Sequence, residues 1–167
     1  MGADSLRQAA GERVNKARVA ISALALSATA LVGIAVHEGY SPIAYRPVPG
    51  DVPTIGFGTT DGVKMGDRID PVQALTRKLA DVQRFEGALR QCVRVPLHQH
   101  EYDAFLSLAY NIGPGAFCGS TLVRLLNAGQ YREACDQILR WDRFQGAPLR
   151  GLTYRRQEEH RKCLGEG

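Results

Sequence analysis

A chain of 167 residues with 44% hydrophobic residues and a net charge of +4 has room for one sizeable domain and an N-terminal extension. Its ordinary composition excludes an intrinsically disordered chain. The mild basic balance suits an anionic polymer or a membrane surface and does not call for nucleic acid.

Arg7, Arg13, Lys16 and Arg18 outnumber Asp4 and Glu12 ahead of an uncharged run from Val19 to Val36. As a helix that run would reach about 27 Å, against a hydrocarbon core of about 30 Å. The basic flank predicts an N-terminus on the inside with the rest outside. Ala dominates the run, and Ser22, Ser27, Thr29 and Gly33 dilute its Leu, Ile and Val, so insertion should be near balance. Three readings are open: a signal peptide cleaved at Ala28-Thr29-Ala30, a buried core helix, or an uncleaved targeting segment able to leave the bilayer. The third is the working expectation, because cleavage inside the run would serve no evident regulation.

Two units follow, a flank and apolar segment at 1–36 and a second domain at 37–167. Short strands are expected between Ile43 and Gly58, punctuated by Pro47, Pro49, Gly50 and Pro53. Gly56 and Gly58 within them mark a close approach of backbone or ligand. Asp61-Gly62 is a turn. Asp70-Pro71 is an N-cap and first helical position, opening a helix to about Cys92 with Val72, Leu75, Leu79 and Val82 on its core face. A helix to Asn111 follows, its apolar face carrying Phe105, Leu106, Leu108 and Ala109; Gly113-Pro114-Gly115 breaks it. Ser120 caps a helix to Asn127, Tyr131–Trp141 is the next, Gly146–Pro148 a loop, and a last helix runs from about Gly151 to Leu164. The fold class is α+β: a small hairpin lobe, a larger helical lobe and a cleft between them for an extended substrate.

Cys92, Cys118, Cys135 and Cys163 lack CxxC spacing and all follow the apolar run. An even number beyond a membrane-targeting segment points to two disulfides, with three pairings possible. Cys135 and Cys163 fall on consecutive helices able to pack antiparallel, which would leave Cys92 with Cys118. His98 and His100 near Cys92 read as a solvated helix start, not a metal site, and no cofactor is expected.

Glu38 ends the apolar segment, and a carboxyl at an apolar edge suits a general acid. Asp51 and Thr54 follow it on the hairpin. A carboxylate and a hydroxyl there can hold a water across a sugar ring. That is inverting glycosidase chemistry, with carboxyls about 6.5–9.5 Å apart.

Glu38-Gly39, Tyr45, Thr54 and Ile55-Gly56-Phe57-Gly58 resemble the signature of the phage-type lysozymes of glycoside hydrolase family 24. Asn111-Ile112-Gly113, Ala116-Phe117, Ser120-Thr121-Leu122, Trp141, Gly151-Leu152 and Arg155-Arg156 are similar to the family's helical lobe, so the resemblance spans about residues 37 to 164. It implies a lysozyme-like fold and a monomeric endolysin. Such an enzyme hydrolyses the β-1,4 bond between N-acetylmuramic acid and N-acetylglucosamine in peptidoglycan and lyses the host cell. Glu38 would be the acid, with Asp51 and Thr54 on the water and Tyr45, Gly58, Asn111 and Arg155 on the substrate. There are two departures. Pro47 stands at the usual place of the second catalytic residue, which leaves Asp51 as the only carboxylate of the hairpin. Thr59 stands where the family has His. The alternatives are a lytic transglycosylase on the same bond and a non-catalytic, membrane-held wall-binding module.

The run before Glu38 resembles the signal-arrest-release segments of some of these endolysins. That implies an enzyme held at the inner membrane, N-terminus in, and later released to the periplasm. No Cys lies between Val19 and Val36, so activation would come from refolding of the released segment against the domain.

Overall fold

The computed structural model describes residues 17–166. The basic residues Arg7, Arg13 and Lys16, with Asp4 and Glu12, lie outside the described residues. Val19 to Val36 does not form one helix. Val19 pairs with Leu97 through two backbone hydrogen bonds of 2.9 Å, a single 3₁₀ turn covers Ile21–Ala23, and α1 begins only at Ala28 and runs to Glu38. Among the described residues no helix is long and apolar enough to cross a membrane.

The break has a local cause. Ser27 is the N-cap of α1: its hydroxyl accepts from the Ala30 N–H and donates to Asp103 at 2.6 Å, while its own N–H goes to the same carboxylate. Just upstream, the Leu26 N–H bonds Glu86 at 2.7 Å, and the Leu24 carbonyl accepts from Arg90. A capped start with side-chain acceptors satisfies the orphan N–H groups of a short helix. Leu24, Ala30, Ile34 and Ala35 are buried, and the first and third join the main core.

After α1, β1 (Ser41–Tyr45) pairs antiparallel with β2 (Thr54–Gly56), matching Ser41 to Gly56 and Tyr45 to Thr54 with an irregularity between. This hairpin closes over a small core of Ala44, Ile55 and Val63. β2 also lies hard against the helical lobe. Gly56 has φ +63°, and a Cβ there would come 2.8 Å from the Ala74 Cβ. Only glycine tolerates both the backbone and the contact.

The helical lobe is built on α2 (Pro71–Cys92) and α3 (Gln99–Ile112). Asp70 caps α2 through the Val72 and Gln73 N–H groups, with Pro at the first position. Every residue of α3 from Glu101 to Ala109 is buried. A helix surrounded on all sides must satisfy its polar groups internally. Glu101 takes Arg18, Asp103 takes Ser27, and Ser107 donates to Glu159.

The short helices α4 (Pro114–Cys118), α5 (Thr121–Asn127) and α6 (Tyr131–Asp136) pack below. A 3₁₀ turn at Gln137–Arg140 ends the expected Tyr131–Trp141 helix early. The expected loop near Gly146 is a small hairpin of β3 (Arg143–Phe144) and β4 (Ala147–Pro148). Helix α7 (Arg150–Cys163) then packs along α3. Disulfides join Cys92 to Cys118 and Cys135 to Cys163.

The buried face of α2 differs from the expected one. Of the expected residues Val82 is buried, Leu75 and Leu79 are half-buried and Val72 is 74% exposed, whereas Ala74, Lys78, Glu86 and Leu89 also point inward. That stripe keeps helical spacing but contains two charges, so hydrophobicity alone selected the neighbouring face.

Ile34→Ala should lower the unfolding free energy by about 2–4 kcal/mol through cavity formation. Val36→Ala, at a 73% exposed site, should change it by less than about 0.5 kcal/mol. Equilibrium urea denaturation of both variants checks that the segment is part of the core.

Candidate active site

Glu38 is the last residue of α1, so its position depends on how that helix docks. Its side chain is 26% exposed, and Arg155 Nη1 on α7 meets Oε1 at 3.2 Å. Arg155 is itself buried. Its Nε reaches Glu159 Oε1 at 3.2 Å, and the same oxygen accepts from Arg156 at 2.9 Å and from Ser107 at 2.7 Å. Arg156 Nη1 passes the chain of contacts on to the side-chain amide oxygen Oδ1 of Asn111 at 2.9 Å. A run of charge-assisted bonds therefore connects Glu38 to Asn111 beneath the cleft floor.

The cleft has a volume of about 320 Å³ and is lined by Glu38, Gly58, Thr60, Asp61, Asp81, Arg84, Phe85, Tyr110 and Asn111. Its wall at Gly58 is tight. Gly58 has φ +85°, and a Cβ there would sit 3.3 Å from Glu38 Oε2 and 3.5 Å from Lys78 Nζ. A side chain at this position would strain the backbone and press on the carboxylate. The two lobes also meet through Thr59, whose hydroxyl donates to Asp81 at 2.5 Å.

Two buried groups adjoin this wall. Lys78, fully buried on α2, bonds the Tyr110 hydroxyl at 2.5 Å. Burial pushes the Lys78 ammonium below the usual lysine range, against the pull of Glu38 and Asp81. Burial, reinforced by the same two carboxylates, pushes the Tyr110 phenol up to about 12. At the edge of the site, His37 lies 3.1 Å from Glu158. Burial and the Arg155 charge push it below the ordinary histidine value, and Glu158 opposes them.

The residues singled out in the sequence separate into two groups. Glu38, Gly58 and Asn111 share the cleft, and Arg155 grips Glu38 from behind. Asp51 is exposed on the β1–β2 loop and is not among the lining residues; Thr54 is buried with its hydroxyl donating to the Val52 carbonyl at 3.2 Å. Tyr45 is 41% exposed on β1, opposite Thr54. Sequence reasoning missed Lys78, Asp81, Tyr110 and Glu159. For Lys78 a signal existed in its spacing of four from both Ala74 and Val82.

A hairpin lobe folded over a helical lobe, with one glutamate at the seam held by a buried arginine, defines a lysozyme-type glycoside hydrolase. The chain belongs to the phage lysozyme family, whose model matches residues 35–159, and it is a peptidoglycan-lysing enzyme. It is 38% identical over 141 residues to the SAR-endolysin of Pseudomonas phage phiKMV, covering 82% of this chain and 87% of that one. The endolysin from Escherichia coli O157:H7 phage FAHEc1 superposes with a TM-score of 0.79 at 35% identity, over 87% of this chain and 96% of the other. The muramidase domain of SpmX from Asticaccaulis excentricus gives 0.79 at 29% identity, over 84% and 98%.

Arg155→Met should destabilise the fold by about 3 kcal/mol, at the lower end for a broken buried pair because Glu159 keeps Arg156. Thr59→Val should lose about 1–2 kcal/mol by leaving Asp81 without its hydroxyl donor. Thermal and urea unfolding measure both.

Proposed function

We propose that the enzyme hydrolyses the β-1,4 bond between N-acetylmuramic acid and N-acetylglucosamine, with Glu38 as the proton donor. The observation that carries this reading is Glu38 itself, half-sunk at the cleft edge and fixed by Arg155. An acid aimed at a glycosidic oxygen must be held in place, and a buried guanidinium does that. Asp51 and Thr54 act on the attacking water from the hairpin side. The support for Asp51 is that it is the only carboxylate between Glu38 and Thr54. Asp61 and Asp81 line the cleft directly and are the carboxylates against which Asp51 must be compared. Tyr45, Gly58, Asn111 and Arg155 shape the substrate site, and a neighbouring groove that shares Asn111 and is lined by Trp141 and Phe144 extends it.

Residues 1–36 form a targeting unit and 37–167 a catalytic domain. The chain is first held at the host inner membrane, N-terminus in, and is then released to the periplasm as a monomer that lyses the host. The name of the phiKMV relative supports this reading. So does the geometry of Ser27 and Leu26, whose N–H bonds to Asp103 and Glu86 are incompatible with a helix continuous from Val19 to Val36. A membrane-inserted segment would take those N–H donors away from Asp103 and Glu86, which would keep Gln99 and Tyr102, and would leave Glu38 without its docked helix.

Glu38→Gln should lower the rate of reducing-end release from purified peptidoglycan by at least about 10²-fold, while the amide keeps a hydrogen bond to Arg155 and the chain stays folded with a modest loss of stability. Full activity would eliminate Glu38 as the acid. Asp51→Asn should lose about 10²-fold if Asp51 serves the water; a loss confined to Asp61→Asn or Asp81→Asn would transfer that role. Mass spectrometry of the products separates hydrolysis, with a reducing end, from transglycosylation, with a 1,6-anhydro sugar. In cells, collapsing the membrane potential should move the intact chain to the soluble periplasmic fraction and start lysis. Soluble, active protein before depolarisation would overturn membrane control.

A further inference from the structure

Lys78 and Tyr110 have no part in the mechanism above, yet they lie against it. Lys78 is fully buried on α2, and its Nζ has no carboxylate within ion-pair distance among the described residues. Its one side-chain hydrogen bond is to the Tyr110 oxygen, at 2.5 Å, and it stands 4.5 Å from the centre of that ring. A buried ammonium with no carboxylate in ion-pair contact, only the more distant pull of Glu38 and Asp81, is costly and calls for a reason. Tyr110 supplies one, because it lines the cleft beside Glu38 and Asn111. Phe85 packs on its ring at 5.0 Å and fixes the ring plane.

Donor and acceptor bookkeeping sets the direction of this pair. An ammonium has three donors and no acceptor, so it must take a lone pair of the phenol oxygen. The phenol proton then points elsewhere. Among the described residues no carbonyl, carboxylate or hydroxyl accepts it. The phenol also stays protonated at working pH, with its value pushed up to about 12. What remains is a hydrogen-bond donor on the cleft wall that is already oriented and desolvated on one side.

We propose that Tyr110 donates this hydrogen bond to an oxygen of the bound glycan, a sugar hydroxyl or an acetamido carbonyl, and that Lys78 is the positioning residue that presets it. The proposal deepens the muramidase reading and rests on it. The pair sits on the α2–α3 wall while Glu38 comes from α1, so sugar would be gripped on one side and protonated from another. Without its partner the phenol could rotate its proton inward, and the binding contact would weaken with the acid untouched.

The test measures kcat and KM for reducing-end release from purified peptidoglycan by the full chain and by Tyr110→Phe, Lys78→Met and the double variant. Wild type without reducing ends would sink the muramidase reading itself, which separates that failure from this one. With active wild type, Tyr110→Phe should raise KM about tenfold, the worth of one neutral hydrogen bond, with kcat within about twofold. Lys78→Met should raise KM in the same direction while its thermal midpoint holds or rises, since it removes a buried cation. A merely structural lysine would lower that midpoint. The double variant should be no worse than Tyr110→Phe. A KM unchanged in Tyr110→Phe, a Lys78→Met loss in kcat alone, or losses that multiply in the double variant would each overturn the proposal. Should Tyr110→Phe fail to fold, Lys78→Met decides: a raised KM supports the proposal and a wild-type KM overturns it.

Discussion

The contact between Arg155 and Glu38 ties three separate parts of the chain into one site. Glu38 ends α1, Arg155 begins the buried face of α7, and Glu159 one turn later ties the arginine to α3 through Ser107. A guanidinium this deeply buried needs its charge matched, and here Nε and Nη1 find carboxylates while Nη2 has no partner among the described residues. Glu38 and Glu159 match it together. The arginine therefore needs α1 docked, and Glu38 needs the arginine, so neither is in place without the other. Gly58 closes the remaining side, because any larger residue would press on the carboxylate.

The docking of α1 rests on the same kind of interaction. Glu86 and Asp103 are buried acids on α2 and α3, and they accept backbone N–H groups from Leu26 and Ser27. Glu101 does the same work for the Arg18 guanidinium, which also lies 3.5 Å over the Tyr131 ring. Carboxylates that meet their donors on a distant segment act as a template for it. They hold the N-terminal segment in register, and the register decides where Glu38 falls.

The two-lobe architecture was legible in the sequence because its signals are local. Asp70-Pro71 opens α2, Ser120 caps α5, and the glycines after Thr54 read as close approaches, which Gly56 against Ala74 bears out. The buried face of α2 was not legible, since Lys78 and Glu86 sit in it and a hydrophobic count passes over them. Their burial makes sense only once Tyr110 and the Leu26 N–H are brought in from elsewhere in the chain. The break of the N-terminal run at Ser27 was hidden for the same reason: its partner Asp103 is far away in sequence. Within the site, Glu38 stood out by its place at the end of an apolar run. Asp81 did not, because nothing near it in sequence hints that Thr59 will meet it.

On the proposed membrane-held start, the composition of Val19 to Val36 would answer two demands that conflict. A permanent membrane anchor would be richer in Leu and Ile, and a water-soluble surface helix would carry charge on its outer face. This segment has neither. Val32 and Val36 are exposed at 52% and 73%, while Ile34 and Ala35 between and beside them are buried. The exposed valines gain nothing in the docked state, where a polar residue would serve the surface better. They would matter in a bilayer, where every face of the helix meets lipid. Ser27, in turn, gains little in lipid and becomes the N-cap of α1 on docking. The segment thus carries residues that suit each environment at the expense of the other, and its last residue is the one the cleft depends on.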